Sequence, residues 1–206
     1  MAFDTYVMFK DPDGNFLEGE SQVNVIAGTE STIGKDLGGM GGKLFEIDDF
    51  NFGIEQVLNI SSQSSGAGAG KVTFNEFTIT RKIDRATPTF FTMCCAGQHF
   101  EEVWIFLRRA GGGGTTLTNA GGSGNVASGT TFLRYDFKLV AIKTISHSGS
   151  DGDDAMKEEI AFEYGAVRIR YVQQDSTGKP MTTSAGNPMG QWSKVLNNNS
   201  YGVTTS

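Results

Sequence analysis

Apolar runs alternate with glycine-rich connections along this chain, and most runs carry the period of two expected of strands. Phe3, Thr5, Val7 and Phe9 alternate with Asp4, Tyr6 and Met8, which predicts a short strand. Asp11-Pro-Asp-Gly14 then predicts a turn. Residues 44–54 (LFEIDDFNFGI) read as a strand whose apolar phase switches near Asp48-Asp49. Residues 71–83 (KVTFNEFTITRKI) read the same way, with a switch between Phe74 and Phe77. The continuous run from Val103 to Leu107 predicts a strand covered on both faces. Residues 132–145 set Leu133, Tyr135, Phe137 and Leu139 against Arg134, Asp136 and Lys138. Residues 159–172 place Ile160, Phe162 and Tyr164 on one face, then flip to Val167, Ile169 and Tyr171. Gly165 stands at the flip and predicts a β-bulge there. A short last strand is expected around Gln191 to Val195.

One segment has helical spacing. Thr87 is the N-cap candidate, Pro88 suits the first helical position and Gly97 suits the stop. Between them Phe90, Phe91, Met93, Cys94 and Cys95 form an apolar stripe. So short a helix is marginal alone and needs a sheet to pack on. Six to eight strands and one short helix predict a mainly β fold: a small β-barrel of two packed antiparallel sheets with one flanking helix at about 87–97 and extended Gly-rich loops.

Composition narrows the classes. The chain has 206 residues and 28 glycines, with 15 Phe and 5 Tyr, which is against wholesale disorder. The net charge of −6 argues against nucleic-acid binding. No run of 18 apolar residues exists, so no membrane span is expected. The opening MAFDTYVMFKDPDG lacks the basic and long apolar regions of a secretory signal, so any export is expected to use another route. Residues 28–42 and 111–130 are Gly/Ser/Thr-rich, and 61–70 (SSQSSGAGAG) form a third such stretch. The polar segment 197–206 predicts a flexible tail after a single domain over 1–196.

Candidate chemistry is thin. GAGAGK at 66–71 fails as a phosphate loop, because Ser65 stands where a glycine is needed and Val72 replaces the Ser/Thr. Asp11, Asp13 and Asn15 hint at a calcium loop, but Phe16 and Gln22 occupy the glycine and terminal Glu positions. Asp151, Asp153 and Asp154 read as a solvated acidic turn, and His147 as a loop histidine. The adjacent Cys94 and Cys95 read as reduced thiols, and with two scattered histidines they make no zinc pattern. A Cys94 or Cys95 pair with His99 is a poor nucleophile site, since a helix C-terminus raises a thiol pKa. No catalytic, cofactor or metal site is therefore expected. Arg134, Asp136 and Lys138 share one sheet face, and Arg168 and Arg170 another. These faces read as a solvated side of a sheet or, more sharply, as a polar wall that lines a channel or meets another copy of the chain.

The order of motifs is similar to that of the Hcp family (haemolysin-coregulated proteins), inner-tube subunits of the bacterial type VI secretion system. MAFDTYVMF opens the chain, Gly19-Glu20-Ser21 follows, then FNFGIEQ at 50–56 and GAGK at 68–71. KVTFNEFTITRKIDRATPTFFTMCCAGQHF at 71–100 leads to EEVWIFLRRAGG, LRYDFKLVAIKTIS at 133–146 and QWSKV at 191–195. The most specific pieces are Lys82 to Phe100 and the passage from Glu158 through Phe162, Tyr164, Val167 and Tyr171 to Gln173-Gln174-Asp175. The chain departs from the family by its length, with the excess at 28–43 and 111–131. The resemblance implies a tight barrel, a homohexameric ring, and rings stacked into a tube that is exported, inside a contractile sheath and behind a spike. It also implies small effectors held in the lumen, bacterial cytoplasm before firing, then release outside or into a target cell. It makes Ser61, Ser62, Gln63, Ser64, Ser65, Gly66, Ala67 and Gly68 a candidate subunit-contact loop, and Arg134, Asp136, Lys138, Arg168 and Arg170 a candidate lumen or interface face. The alternatives are a specialised non-tube Hcp paralogue and a generic β-barrel binding module of the phage tail-tube kind.

Overall fold

The computed structural model describes residues 3–20, 44–56, 72–110, 129–152, 154–173, 181 and 188–204. The elements in chain order are β1 (Phe3–Lys10), β2 (Phe45–Glu46), β3 (Asp49–Asn51), β4 (Ile54–Gln56), β5 (Val72–Phe74), β6 (Phe77–Lys82), α1 (Thr87–Ala96), β7 (His99–Ala110), β8 (Gly129–Ser148), β9 (Lys157–Tyr171) and β10 (Met189–Ser193). The expected mainly β barrel with one flanking helix is the fold the chain adopts. Its two sheets are unequal: eight strands in the antiparallel order β2-β1-β7-β8-β9-β6-β3, with β10 also on β9, and a separate pair β4-β5.

The phase switch at Asp48-Asp49 is what curls the large sheet. Phe45 and Glu46 pair with Val7 and Tyr6 of β1 at one edge. Three residues later Asp49, Phe50 and Asn51 pair with Thr80, Ile79 and Thr78 of β6 at the other edge. The amide of Ile47 still donates to Thr5 O at 3.1 Å, and that of Asp48 donates to Thr80 O at 2.8 Å. One short stretch of chain therefore bridges both ends of the sheet and covers part of each edge, which would otherwise template other strands. The second switch, between Phe74 and Phe77, is where the chain leaves the small sheet for the large one.

The concave side holds the core, with Val7, Phe9, Phe77, Phe137 and Phe162 all fully buried. Phe77 stacks between Phe137 and Phe162, with ring centroids 4.1 and 4.8 Å away. Each such ring contributes on the order of 2–3 kcal/mol by burial alone. The run from Val103 to Leu107 is covered on both faces, as expected: Val103, Ile105 and Leu107 join the core, while Trp104 and Phe106 join Tyr6, Met8 and Leu44 on the outer side.

The sheet pivots along one row of residues. Core side chains skip three positions at once on three neighbouring strands, from Phe100 to Val103, Phe137 to Val140 and Tyr164 to Val167. Pairs form on either side of the row, Phe100–Val140–Tyr164 and Glu102–Lys138–Ala166. The flip expected at Gly165 is thus present, but it needs no extra residue. Leu139 opposite makes it instead, with φ of 52°. The register shifts themselves lie elsewhere, at Leu107/Arg108 and at Ile142/Thr144.

Two other expectations are corrected. The residue at the N-cap is Ala86, with Thr87 already helical, because the Thr87 hydroxyl is engaged in a buried ion cluster described below. Gly97 ends the helix in the left-handed region (φ 63°), as expected of the only residue type without a Cβ penalty there. The segment expected to be a flexible tail lies on the sheet through residue 204, since Tyr201 packs on Arg168 and Lys138. β8 also starts at Gly129, inside the stretch assigned to an insertion over 111–131. The rest of that stretch, and all of 28–43, lie outside the described residues.

Candidate functional site

The two polar faces expected from the sequence are one face, because β8 and β9 are direct neighbours in the sheet, and it converges on one carboxylate. Asp136 on β8 stands opposite Arg168 on β9, and Arg134 opposite Arg170. Side chains two apart on a strand share a face, so three guanidinium groups meet one acid. Arg134 Nε donates to Asp136 Oδ1 at 2.5 Å and its Nη2 to Oδ2 at 3.1 Å. Arg168 donates to Oδ2 through Nε at 2.8 Å, and Arg170 through Nη2 at 2.8 Å. Arg134 and Asp136 are wholly buried, while Arg168 and Arg170 are partly exposed. Lys138 leans away to Glu102 at 3.4 Å. Burial alone pushes the Asp136 carboxyl up, but the Arg134 hydrogen bond and the charges of Arg134, Arg170 and Arg168 outweigh it and hold it below the usual carboxylate range. The face is therefore a dry ion cluster at its centre with a wet rim at Lys138, Arg168 and Arg170. Residues Ser61 to Gly68 lie outside the described residues.

A second buried cluster sits where α1 enters, and the sequence pattern did not single it out. Register sets Arg81 on β6 opposite Glu158 on β9, which stands opposite His147 on β8. Arg81 Nε donates to Glu158 Oε1 at 2.6 Å and Nη2 to Asp84 Oδ1 at 2.9 Å. The Thr87 hydroxyl donates to Glu158 Oε1 at 3.0 Å and accepts from Arg81 Nη2 at 3.2 Å. Arg81 also lies 5.0 Å from the centroids of both the Phe45 and Phe90 rings. His147 is a strand residue, with Nε2 3.4 Å from Glu158 Oε2, not the loop histidine expected. Burial raises the Asp84 carboxyl, but hydrogen bonds from Arg81 and the amides of Ala86 and Glu20, with the Arg81 charge, bring it below its ordinary value. Opposite charges in the 81–87 and 158 segments were the available signal; the missing fact was the register.

This cluster also joins two stretches that carried the sequence resemblance. The Glu20 amide donates to Asp84 Oδ2 at 3.2 Å, and the Arg85 amide donates to Glu20 Oε1 at 3.3 Å. Gly19 has no room for a side chain, since a Cβ there would lie 2.5 Å from the Phe45 ring. Gly19-Glu20 and the Lys-Ile-Asp-Arg-Ala-Thr-Pro segment thus meet at the helix entry.

Nothing among the described residues forms a catalytic constellation. Cys94 and Cys95 are free thiols on α1, the second exposed. No group of three His, Cys, Asp or Glu side chains among the described residues is placed to hold a metal ion. No helix among them is long and apolar enough to cross a membrane.

Comparison with known proteins bears on the whole barrel. A family model described as "Type VI secretion system effector, Hcp" matches residues 41–171. The chain is 27% identical over 108 residues to protein hcp1 of Pseudomonas aeruginosa, covering 52% of this chain and 58% of that one. It thus spans less than two thirds of that curated relative's length. A solved structure described as a type six secretion system protein superposes with a TM-score of 0.70 at 24% identity, over 96% of this chain and 99% of the other. Hcp1 from Salmonella typhimurium superposes at 0.57 with 20% identity, again over 96% and 99%. A type VI secretion system effector from Yersinia pestis does so at 0.56 with 19% identity, over 92% and 99%. At these identities the structures establish the shared fold.

Proposed function

The chain belongs to the Hcp family of type VI secretion proteins, and from that premise we propose that it is a subunit of the secretion system's inner tube. Copies close head-to-tail into a ring of six, and rings stack along an axis. The tube lies inside a contractile sheath behind a spike, passes from the bacterial cytoplasm to the outside or into a target cell, and carries small effectors in its lumen. The role is structural, not catalytic.

The observation that carries this reading is where the family match falls. Residues 41–171 run from the segment that bridges both edges of the sheet to the end of β9, and so hold every described strand of the barrel except β1 and β10. One feature of the surface supports it. The wet rim of Lys138, Arg168 and Arg170 around Asp136 supplies a polar face for a lumen or a subunit contact, and Ser61 to Gly68 remain the candidate contact loop.

The test is the absolute mass in solution, by light scattering behind a sizing column. A single species near six times 22.1 kDa supports the ring. A monomer at every accessible concentration overturns self-assembly as the chain's own property.

A further inference from the structure

The residue pairs of β7, β8 and β9 are interrupted along the pivot row. Glu101, Leu139 and Gly165 form that row, with ladder pairs above and below it but none within it. Leu139 holds φ of 52°, a left-handed conformation that costs an ordinary residue and persists only where surroundings impose it. The C-terminal segment meets the row from three sides. The amides of Lys194 and Val195 both donate to Gly165 O, at 2.8 and 3.2 Å, and so carry the β10–β9 pairing one step past Ser193–Ala166 onto the row. Val195, Val203 and Leu139 converge on the Gly165 α-carbon so closely that a Cβ there would lie 3.1 Å from each of them. Tyr201 lies 4.1 Å from the Arg168 guanidinium and 4.8 Å from Lys138 Nζ, both on the Glu102–Lys138–Ala166 side of the row. The segment is also closed on itself, by Ser193 N to Asn198 O at 3.0 Å and Leu196 N to Ser193 Oγ at 3.0 Å.

We infer that residues 194–204 are a clasp that holds the pivot of β7, β8 and β9 and keeps Leu139 in the left-handed region. The clasp is a conformational device independent of ring assembly. It caps the pivot with backbone donors, fills it with Val195 and Val203, and pins its polar side with Tyr201.

Amide hydrogen exchange read by mass spectrometry tests this on the full chain, on a chain ending at Leu196, and on a full-length Tyr201→Ala/Val203→Ala variant. Peptides covering 138–141 and 164–167 should exchange at least ten-fold faster in both variants, while those covering Phe3–Lys10 and Phe77–Lys82 keep the rate of the full chain. Unchanged exchange at the pivot overturns the clasp. A rise of the same size in all four peptides of the double variant also overturns it, because the segment would then serve general stability alone. Where the truncated chain fails to fold, the double variant decides.

Discussion

The two buried ion clusters are built with opposite surpluses. Under α1, one cation, Arg81, is shared by Glu158 and Asp84 with the Thr87 hydroxyl beside them. Under the C-terminal segment, one carboxylate, Asp136, is shared by Arg134, Arg168 and Arg170. The first cluster has redundancy: removing one acid leaves Arg81 the other. The second hangs on a single side chain. Buried pairs gain little over apolar packing while intact, but a buried charge stripped of its partner is expensive. The contrast predicts unequal responses to equally conservative changes.

The sharpest break is Asp136→Asn. It keeps the shape and removes the negative charge from among three guanidinium groups, one of them wholly buried. The expected loss is about 3–5 kcal/mol of unfolding free energy, read as the shift of a urea or thermal midpoint. Glu158→Gln is the matched change in the other cluster. Arg81 keeps Asp84 at 2.9 Å, so the expected loss is smaller, about 1.5–3 kcal/mol. Equal losses would show that the surplus of acids confers no redundancy.

Acid sharpens the same comparison. Asp136 and Asp84 both sit below their ordinary carboxylate range in the folded chain. A depressed folded value means stability that is fully present above the unfolded value of about 3.9 and lost as pH falls through the folded one. Unfolding midpoints measured from about pH 6 down to about pH 2 should therefore fall in the acid range. The fall should be shallower in Asp136→Asn than in the unmodified chain, because one of the two contributing groups is gone. A curve of unchanged slope would remove Asp136 from the acid response.

What was legible in the sequence follows the range of the interactions. The strand pattern, the helix stop at Gly97 and both phase switches are local, because the side-chain period and the left-handed glycine act within a few residues. The switch at Asp48-Asp49 even marks the point where the chain passes from β1 to β6. The clusters are another matter. Arg134, Asp136, Lys138, Arg168 and Arg170 were visible as polar faces, but whether such a face is wet or buried depends on what lies over it, here Tyr201 from more than 30 positions along. Arg81 and Glu158 are 77 residues apart, and only the β6–β9 register makes them partners. The same register explains the misplaced helix cap: Thr87 would cap if Glu158 and Arg81 did not hold its hydroxyl. At Gly165 the pattern showed that the sheet changes phase, and the reason lay across the strand at Leu139.

The smallest expected effect concerns the connection from β7 to β8. β7 and β8 are already paired at Ala110–Gly129, so the turn between them begins and ends at a closed ladder. Deleting 115–128 would leave the four glycines 111–114 to make the connection. Loop-closure entropy varies only with the logarithm of length, so the deletion should shift stability by about 1.3 kcal/mol, in the stabilising direction. Thermal midpoint and solution mass together read the outcome. An unchanged mass with a slightly raised midpoint would mean that the Asp136 cluster draws its cover from the described sheet and the C-terminal segment. A loss as large as that of Asp136→Asn would mean that the connection itself covers Arg134. The two clusters would then differ in their roof as well as in their charge balance, one sealed by a helix and the other by a loop.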